Sequence, residues 1–160
     1  MRSYLFALVA ICAYACGSSP SQQEPPAQQV DRSPFANLGL RYDGYYLESR
    51  GDLRYAIRFF PEGRVVLANG NKQGEADLPK FLIRETQGNP SIGLYNVMPE
   101  VRGDSIYFVT RPEKGEISYR GKVMNGSLVR FHRHSHITGV SHDMEYIFYP
   151  DSAQASTEQR

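Results

Sequence analysis

Short runs of aromatic and β-branched residues, separated by turn signals, constrain the fold of this chain more than any other feature. All of its 11 Tyr and 8 Phe residues lie between Phe35 and Tyr149 except Tyr4, Phe6 and Tyr14. Strand-forming runs spaced about 8–12 residues apart, with turn residues between them, are typical of all-β sandwiches and barrels. The pattern therefore predicts one all-β domain over residues 36–150.

Eight strands and one short helix are predicted within this domain. The helix begins with Asp77 as its cap and Pro79 in its first turn, and it ends by about Thr86, before Gly88-Asn89-Pro90. Asn125-Gly126 is a strong signal for a hairpin turn. The predicted strands cover residues 40–49, 53–60, 64–68, 92–97, 105–110, 116–121, 128–136 and 144–150.

Strands joined by short turns predict an antiparallel meander that closes into an eight-stranded up-and-down barrel, because closure leaves no exposed sheet edges. This architecture resembles the lipocalin-like, or calycin, group. That group usually carries Gly-x-Trp near its first strand, whereas this chain has no Trp and shows Gly44-Tyr45-Tyr46 there. An eight-stranded barrel is either filled by side chains or holds one small ligand.

The start of the chain has the features of an export signal. Arg2 precedes an uncharged apolar run over residues 4–14, which is shorter than the roughly 20 residues that a bilayer span needs. The run ends in the small-x-small pattern Ala13-Tyr14-Ala15 and is followed directly by Cys16. We therefore expect residues 1–15 to be a signal peptide.

Ala13-Tyr14-Ala15-Cys16 resembles the lipobox of bacterial lipoproteins, although that family usually has Leu in place of Ala13 and a small or branched residue in place of Tyr14. The resemblance implies cleavage before Cys16, lipidation of its thiol with diacylglycerol, and attachment to a membrane of the cell envelope. Gly17 takes the position where Asp commonly means inner-membrane retention in this family, which favours the outer membrane if the host has one. The alternatives are ordinary secretory cleavage after Ala15, which leaves a free thiol, and a retained apolar anchor.

The segments that flank the domain are polar. Residues 16–35, rich in Pro, Gln and Ser, are predicted to be a disordered tether, and residues 151–160 a disordered tail. The chain has 18 Lys and Arg against 17 Asp and Glu, so the broad basic surface expected of a nucleic-acid-binding protein is absent. Removal of Cys12 with the signal would leave Cys16 as the only cysteine, which excludes a disulfide within one chain.

All four histidines lie within one predicted hairpin. His132, His134 and His136 alternate along a strand and are expected to share one face, where they could bind Zn or Cu with His142 as a fourth ligand. The alternative is a polar, half-solvated hairpin face. We predict no metal site and no cofactor. We also predict no catalytic residue, because the adjacent residues Ser141-His142-Asp143 cannot readily converge as a triad.

Three classes of function remain, and the first is preferred. The chain is a non-catalytic module that holds a small apolar ligand or docks an envelope protein, or a structural lipoprotein with a filled core, or a metal-binding or enzymatic protein that uses the His132/His134/His136 hairpin. Strand aromatics would line the cavity in the first class and fill the core in the second. They include Tyr45, Phe59, Tyr107, Phe108 and Phe131.

Overall fold

The computed structural model describes residues 33–151. The predicted signal peptide, Cys16, most of the tether and residues 152–160 lie outside that range. None of the described helices is long and apolar enough to cross a membrane. The strands are β1 (Gly44–Arg50), β2 (Leu53–Phe59), β3 (Val65–Asn71), β4 (Leu94–Val97), β5 (Glu100–Arg102), β6 (Ser105–Thr110), β7 (Ile117–Asn125), β8 (Leu128–Ser135) and β9 (Ser141–Pro150).

The predicted all-β antiparallel architecture with one short helix is confirmed. The described strands form one sheet in the order β4-β3-β2-β1-β9-β8-β7-β6-β5, which curls into a half-barrel. With one exception, consecutive strands pair with each other, and β1 pairs with β9, as in an up-and-down barrel. The one consecutive pair that does not form is β4 with β5, so these two strands are the edges of the sheet.

The ninth strand is β5, which was not predicted and lies just beyond the predicted strand over residues 92–97 that corresponds to β4. Successive antiparallel pairings make β4 and β5 run in the same direction, and only Met98 and Pro99 separate them. Pro99 has no backbone N–H and cannot take a regular place in a ladder. Residues 94–102 therefore act as one bent strand, whose first half pairs with β3 and whose second half pairs with β6.

The main core lies inside the curl. Alternate residues of each strand point inward, and the largest of them are aromatic. Tyr46 and Phe59 meet edge to face with centroids 5.7 Å apart, and Phe35, which precedes β1, meets Phe59 edge to face at 5.6 Å. Phe131 contacts the rings of three neighbours, namely Phe108, Tyr119 and Tyr146.

A second, smaller core lies on the outer face under the helix. The helix α1 covers Leu78–Phe81 and follows a 3-10 segment, Lys72–Asp77. It is shorter than predicted, and Asp77 occupies the cap position without forming a side-chain capping hydrogen bond. Leu78 and Leu82 pack with buried outward residues of β1 to β4. This cover leaves the outer face of β5 to β9 as the open side of the sheet.

Candidate functional site

Five side chains form a charged row across the outer face of β5 to β9. The register pairs Glu100 with Tyr107, Tyr107 with Arg120, Arg120 with His132, and His132 with Asp143. Paired residues of antiparallel strands lie on the same face with Cβ atoms about 4.5–5.5 Å apart. The sheet therefore brings residues that are 43 positions apart in sequence onto one line.

A groove of about 710 Å³ opens beside this row, where the barrel wall is interrupted. In the described chain, β4 pairs only with β3, and residues 108–110 of β6 pair only with β7, so no strand joins β4 to that part of β6. We call this opening the seam groove. Its lining comprises Asn96, Val97, Met98 and Glu100 from the bent strand, Tyr107, Phe108, Val109 and Arg111 from β6 and its end, and Ser118, Tyr119, Arg120 and His132.

Arg120 is the central cation of the row. Its guanidinium carbon lies 5.8 Å from the centroid of the Tyr107 ring, and that of Arg102 lies 5.2 Å from the same centroid. Arg102 is bound to Glu100 at 2.7 Å and holds the pKa of that carboxyl below its usual range. Among the described residues, no carboxylate oxygen lies within 4.0 Å of a side-chain nitrogen of Arg120.

A smaller side groove of about 410 Å³ lies next to the seam groove and shares Arg120 and His132 with it. Its other cations are Lys122 and Arg130. Lys122 lies 3.5 Å from Asp104, and Arg130 forms an ion pair with Glu145. Arg120 and His132 therefore stand where the two grooves meet.

His132 is held in one orientation by its neighbour on β9. Its Nδ1 atom lies 2.9 Å from Oδ1 of Asp143. A carboxylate only accepts hydrogen bonds, so Nδ1 carries a proton and Nε2 remains for another partner. Both side chains are more than half exposed, so the pair is open to solvent.

The other predicted histidines do not complete a metal site. His134 shares the outer face with His132, but its Nδ1 lies 2.8 Å from Oγ of Ser141. His136 follows the end of β8, with Nε2 3.0 Å from Oγ of Ser118. No group of three or more potential metal ligands occurs among residues 33–151.

His142 lies on the opposite face, which corrects the expectation of a fourth ligand. The strand β9 begins at Ser141, and its alternation places His142 inward, in register with Arg133. Ser141 and Asp143 point outward and bind His134 and His132 instead. The three adjacent residues thus form no triad.

Arg133 is a cation on the inner face of β8. Arg133 is paired with Tyr119 on β7 and with His142 on β9. Its Nε is buried without a hydrogen-bond partner among the described residues. Burial raises the pKa of Tyr119, and the positive charge of Arg133 acts in the opposite direction. Burial also raises the pKa of Tyr146 well above its ordinary value.

Most of the aromatic residues predicted to line a cavity or fill a core belong to cores. Phe59, Phe108 and Phe131 are buried inside the curl, and Tyr45 is buried in the outer core. Tyr107 is the one residue of these five that belongs to neither core, and it lies on the outer face, where it contributes to the seam groove.

Arg120, at the centre of the row, was not identified from the sequence. The sequence shows that Arg120 lies in the strand before the one that contains His132. That the two residues are directly opposite each other depends on the register between β7 and β8, which the sequence does not show. Comparison with known proteins adds nothing to these observations: no family model, no curated protein and no solved structure matches the chain significantly.

Proposed function

We propose that this protein is a lipid-anchored lipoprotein of the bacterial cell envelope whose β domain is a non-catalytic binding module. The observation that carries the binding role is the seam groove, which is open to solvent and offers both apolar and charged side chains. Ligand sites are concave and combine apolar surface with a few placed polar groups.

The packed interior of the curl points to the groove as the binding place. Inward residues such as Ile57, Val65 and Val129 have no exposed surface, and they pack in one continuous cluster. A ligand inside the curl would have to displace these side chains. A ligand in the seam groove would instead contact Val97, Met98 and Val109 without disturbing the core.

The anchor rests on the resemblance of Ala13-Tyr14-Ala15-Cys16 to a lipobox. Two acyl chains are enough for stable membrane attachment. Intact mass and detergent-phase partitioning of the natively expressed protein, compared with Cys16→Ala, test this. We expect wild type to lack residues 1–15, to be heavier by acyl chains and to partition with detergent. An unmodified wild-type protein in the aqueous phase would refute the anchor.

The binding role is tested by identifying molecules that co-purify with the protein. Val109→Trp places a bulky side chain in the seam groove, whereas Ile147→Trp adds the same ring at an exposed outer position of β9 that lines neither groove. We expect mass spectrometry to find a molecule that is retained by wild type and Ile147→Trp and lost from Val109→Trp. Retention by all three proteins would place binding elsewhere.

A structural lipoprotein with a filled core is the second candidate, and the same packed interior favours it. It predicts that no small molecule co-purifies with wild type and that envelope localisation alone is required for function. The co-purification experiment therefore separates the two candidates.

A further inference from the structure

We infer that the junction of the two grooves binds the oxyanion of a small soluble ligand through Arg120 and His132. This inference rests on the proposed binding function and names the chemistry of the ligand. The remainder of that ligand is an aromatic or apolar group that lies along Tyr107 and Val109.

The side chains that line the two grooves include more cations than carboxylates, but three of these cations form ion pairs with carboxylates outside the lining. The side groove is lined by Arg120, Lys122 and Arg130 against one carboxylate, Asp143. The seam groove is lined by Arg111 and Arg120 against Glu100.

Arg120 differs from the other Arg and Lys residues of the two grooves in having no carboxylate partner among residues 33–151. Arg111 lies 3.3 Å from Glu116, and Lys122 and Arg130 have Asp104 and Glu145. An anion that bound those three would have to compete with an existing ion pair. The guanidinium of Arg120, by contrast, has planar N–H donors that suit carboxylate and phosphate groups.

His132 supplies the second donor on the adjacent strand. Arg120 and His132 are directly paired in the register, and both line both grooves. Asp143 occupies Nδ1, so the imidazole is oriented with Nε2 away from β9. When the ring is protonated, Nε2 donates to an oxygen of the same anion that Arg120 binds.

The ring of Tyr107 sets the position of the apolar part. It lies on the far side of Arg120 from His132 in the charged row. Val109, two residues further along β6, continues that surface into the seam groove. A ligand anchored at the junction would therefore extend toward the bent strand at Met98.

Phenyl phosphate is the probe, and benzyl alcohol is its neutral control with the same ring. Both are titrated by calorimetry into the full, natively processed protein in nonionic detergent. Loss of a hydrogen bond to a charged group weakens binding by roughly tenfold to a hundredfold. We expect that loss for Arg120→Gln, a smaller loss for Arg120→Lys, and less than about threefold for the already paired Arg130→Gln.

Each other outcome overturns the inference in a recognisable way. Equal affinities for benzyl alcohol and phenyl phosphate would show that the groove binds the ring without recognising the anion, and the proposed function would stand. Equal losses of affinity for phenyl phosphate in Arg120→Gln and Arg130→Gln would show nonspecific electrostatic attraction. Binding to anionic phospholipid vesicles with none to phenyl phosphate would assign the junction to a membrane surface. Absence of binding to any probe would refute the oxyanion site, while the co-purification experiment decides the function separately.

Discussion

The hydroxyl of Tyr46 joins two distant parts of the chain, and Tyr46→Phe measures what that link contributes to stability. The ring is fully buried in β1. Its oxygen accepts a hydrogen bond from the backbone N–H of Arg41 at 2.9 Å and donates one to the carbonyl of Gly126 at 3.1 Å. The substitution keeps the ring contacts with Phe59 and Phe148 and removes both hydrogen bonds.

The loss of one hydrogen bond lowers the free energy of unfolding by about 1 kcal/mol, and it lowers it further when the remaining donor or acceptor is buried and cannot bind water. Both partners of Tyr46 are partly buried, so we expect the free energy of unfolding to fall by about 2 kcal/mol. For a domain of this size that corresponds to a decrease in Tm of roughly 6–10 °C. Urea unfolding should show a lower midpoint with an unchanged m-value.

Tyr149→Phe is the matched control, because the Tyr149 side chain is exposed and forms no hydrogen bond among the described residues. We expect it to change stability by less than about 0.5 kcal/mol. A loss below about 0.5 kcal/mol in Tyr46→Phe would refute the reasoning, since it would mean that water replaces both hydrogen bonds without cost. Equal losses in the two variants would refute it as well.

Three further predictions follow from packing, burial and pairing. In Gly121→Ala the new Cβ would overlap the carbonyl oxygen of Arg130, so we expect the free energy of unfolding in urea to fall by about 3 kcal/mol. Gly74→Ala is the control: the atom nearest to its new Cβ is 3.5 Å away, so the fall should stay below about 1 kcal/mol. Burial raises the pKa of Glu48, so the folded state keeps this proton to a higher pH than the unfolded state does. The free energy of unfolding therefore falls as pH rises above the ordinary range of Glu. Glu48→Gln should weaken that fall and raise the Tm at neutral pH; an unchanged pH profile would contradict it. Added Zn²⁺ should leave the Tm unchanged, since no metal-ligand group occurs in residues 33–151, and a stoichiometric rise would contradict that expectation.

Local signals in the sequence were sufficient for most of the strands. The strand over residues 105–110 coincides with β6, and β8 begins at Leu128 after the predicted Asn125-Gly126 turn. These segments are short and rich in strand-forming residues, and their turns are specified within a few positions. The short helix was located correctly between the third and fourth predicted strands, although it ends at Phe81, earlier than the pattern suggested.

Features that depend on pairing between distant strands could not be read from the sequence. Alternation correctly placed His132 and His134 on one face, but the inward orientation of His142 depends on where β9 begins and on its register with β8. The charged row has the same origin, because each member is specified by a different strand pairing. A shift of one residue in any of these registers would turn part of the row inward.

The interruption of the barrel and the position of the candidate site have a common cause. Because the strand over residues 94–102 changes partner at Met98-Pro99, its second half pairs with the start of β6 and its first half remains with β3. The end of β6 is then left without a strand on that side, and the seam groove forms at that place. Arg120 lies on β7, next to β6, and thus at the edge of this opening. A regular fourth strand would close the wall and remove the groove, so the bend at Pro99 is as important to the proposed function as the residues that line the groove.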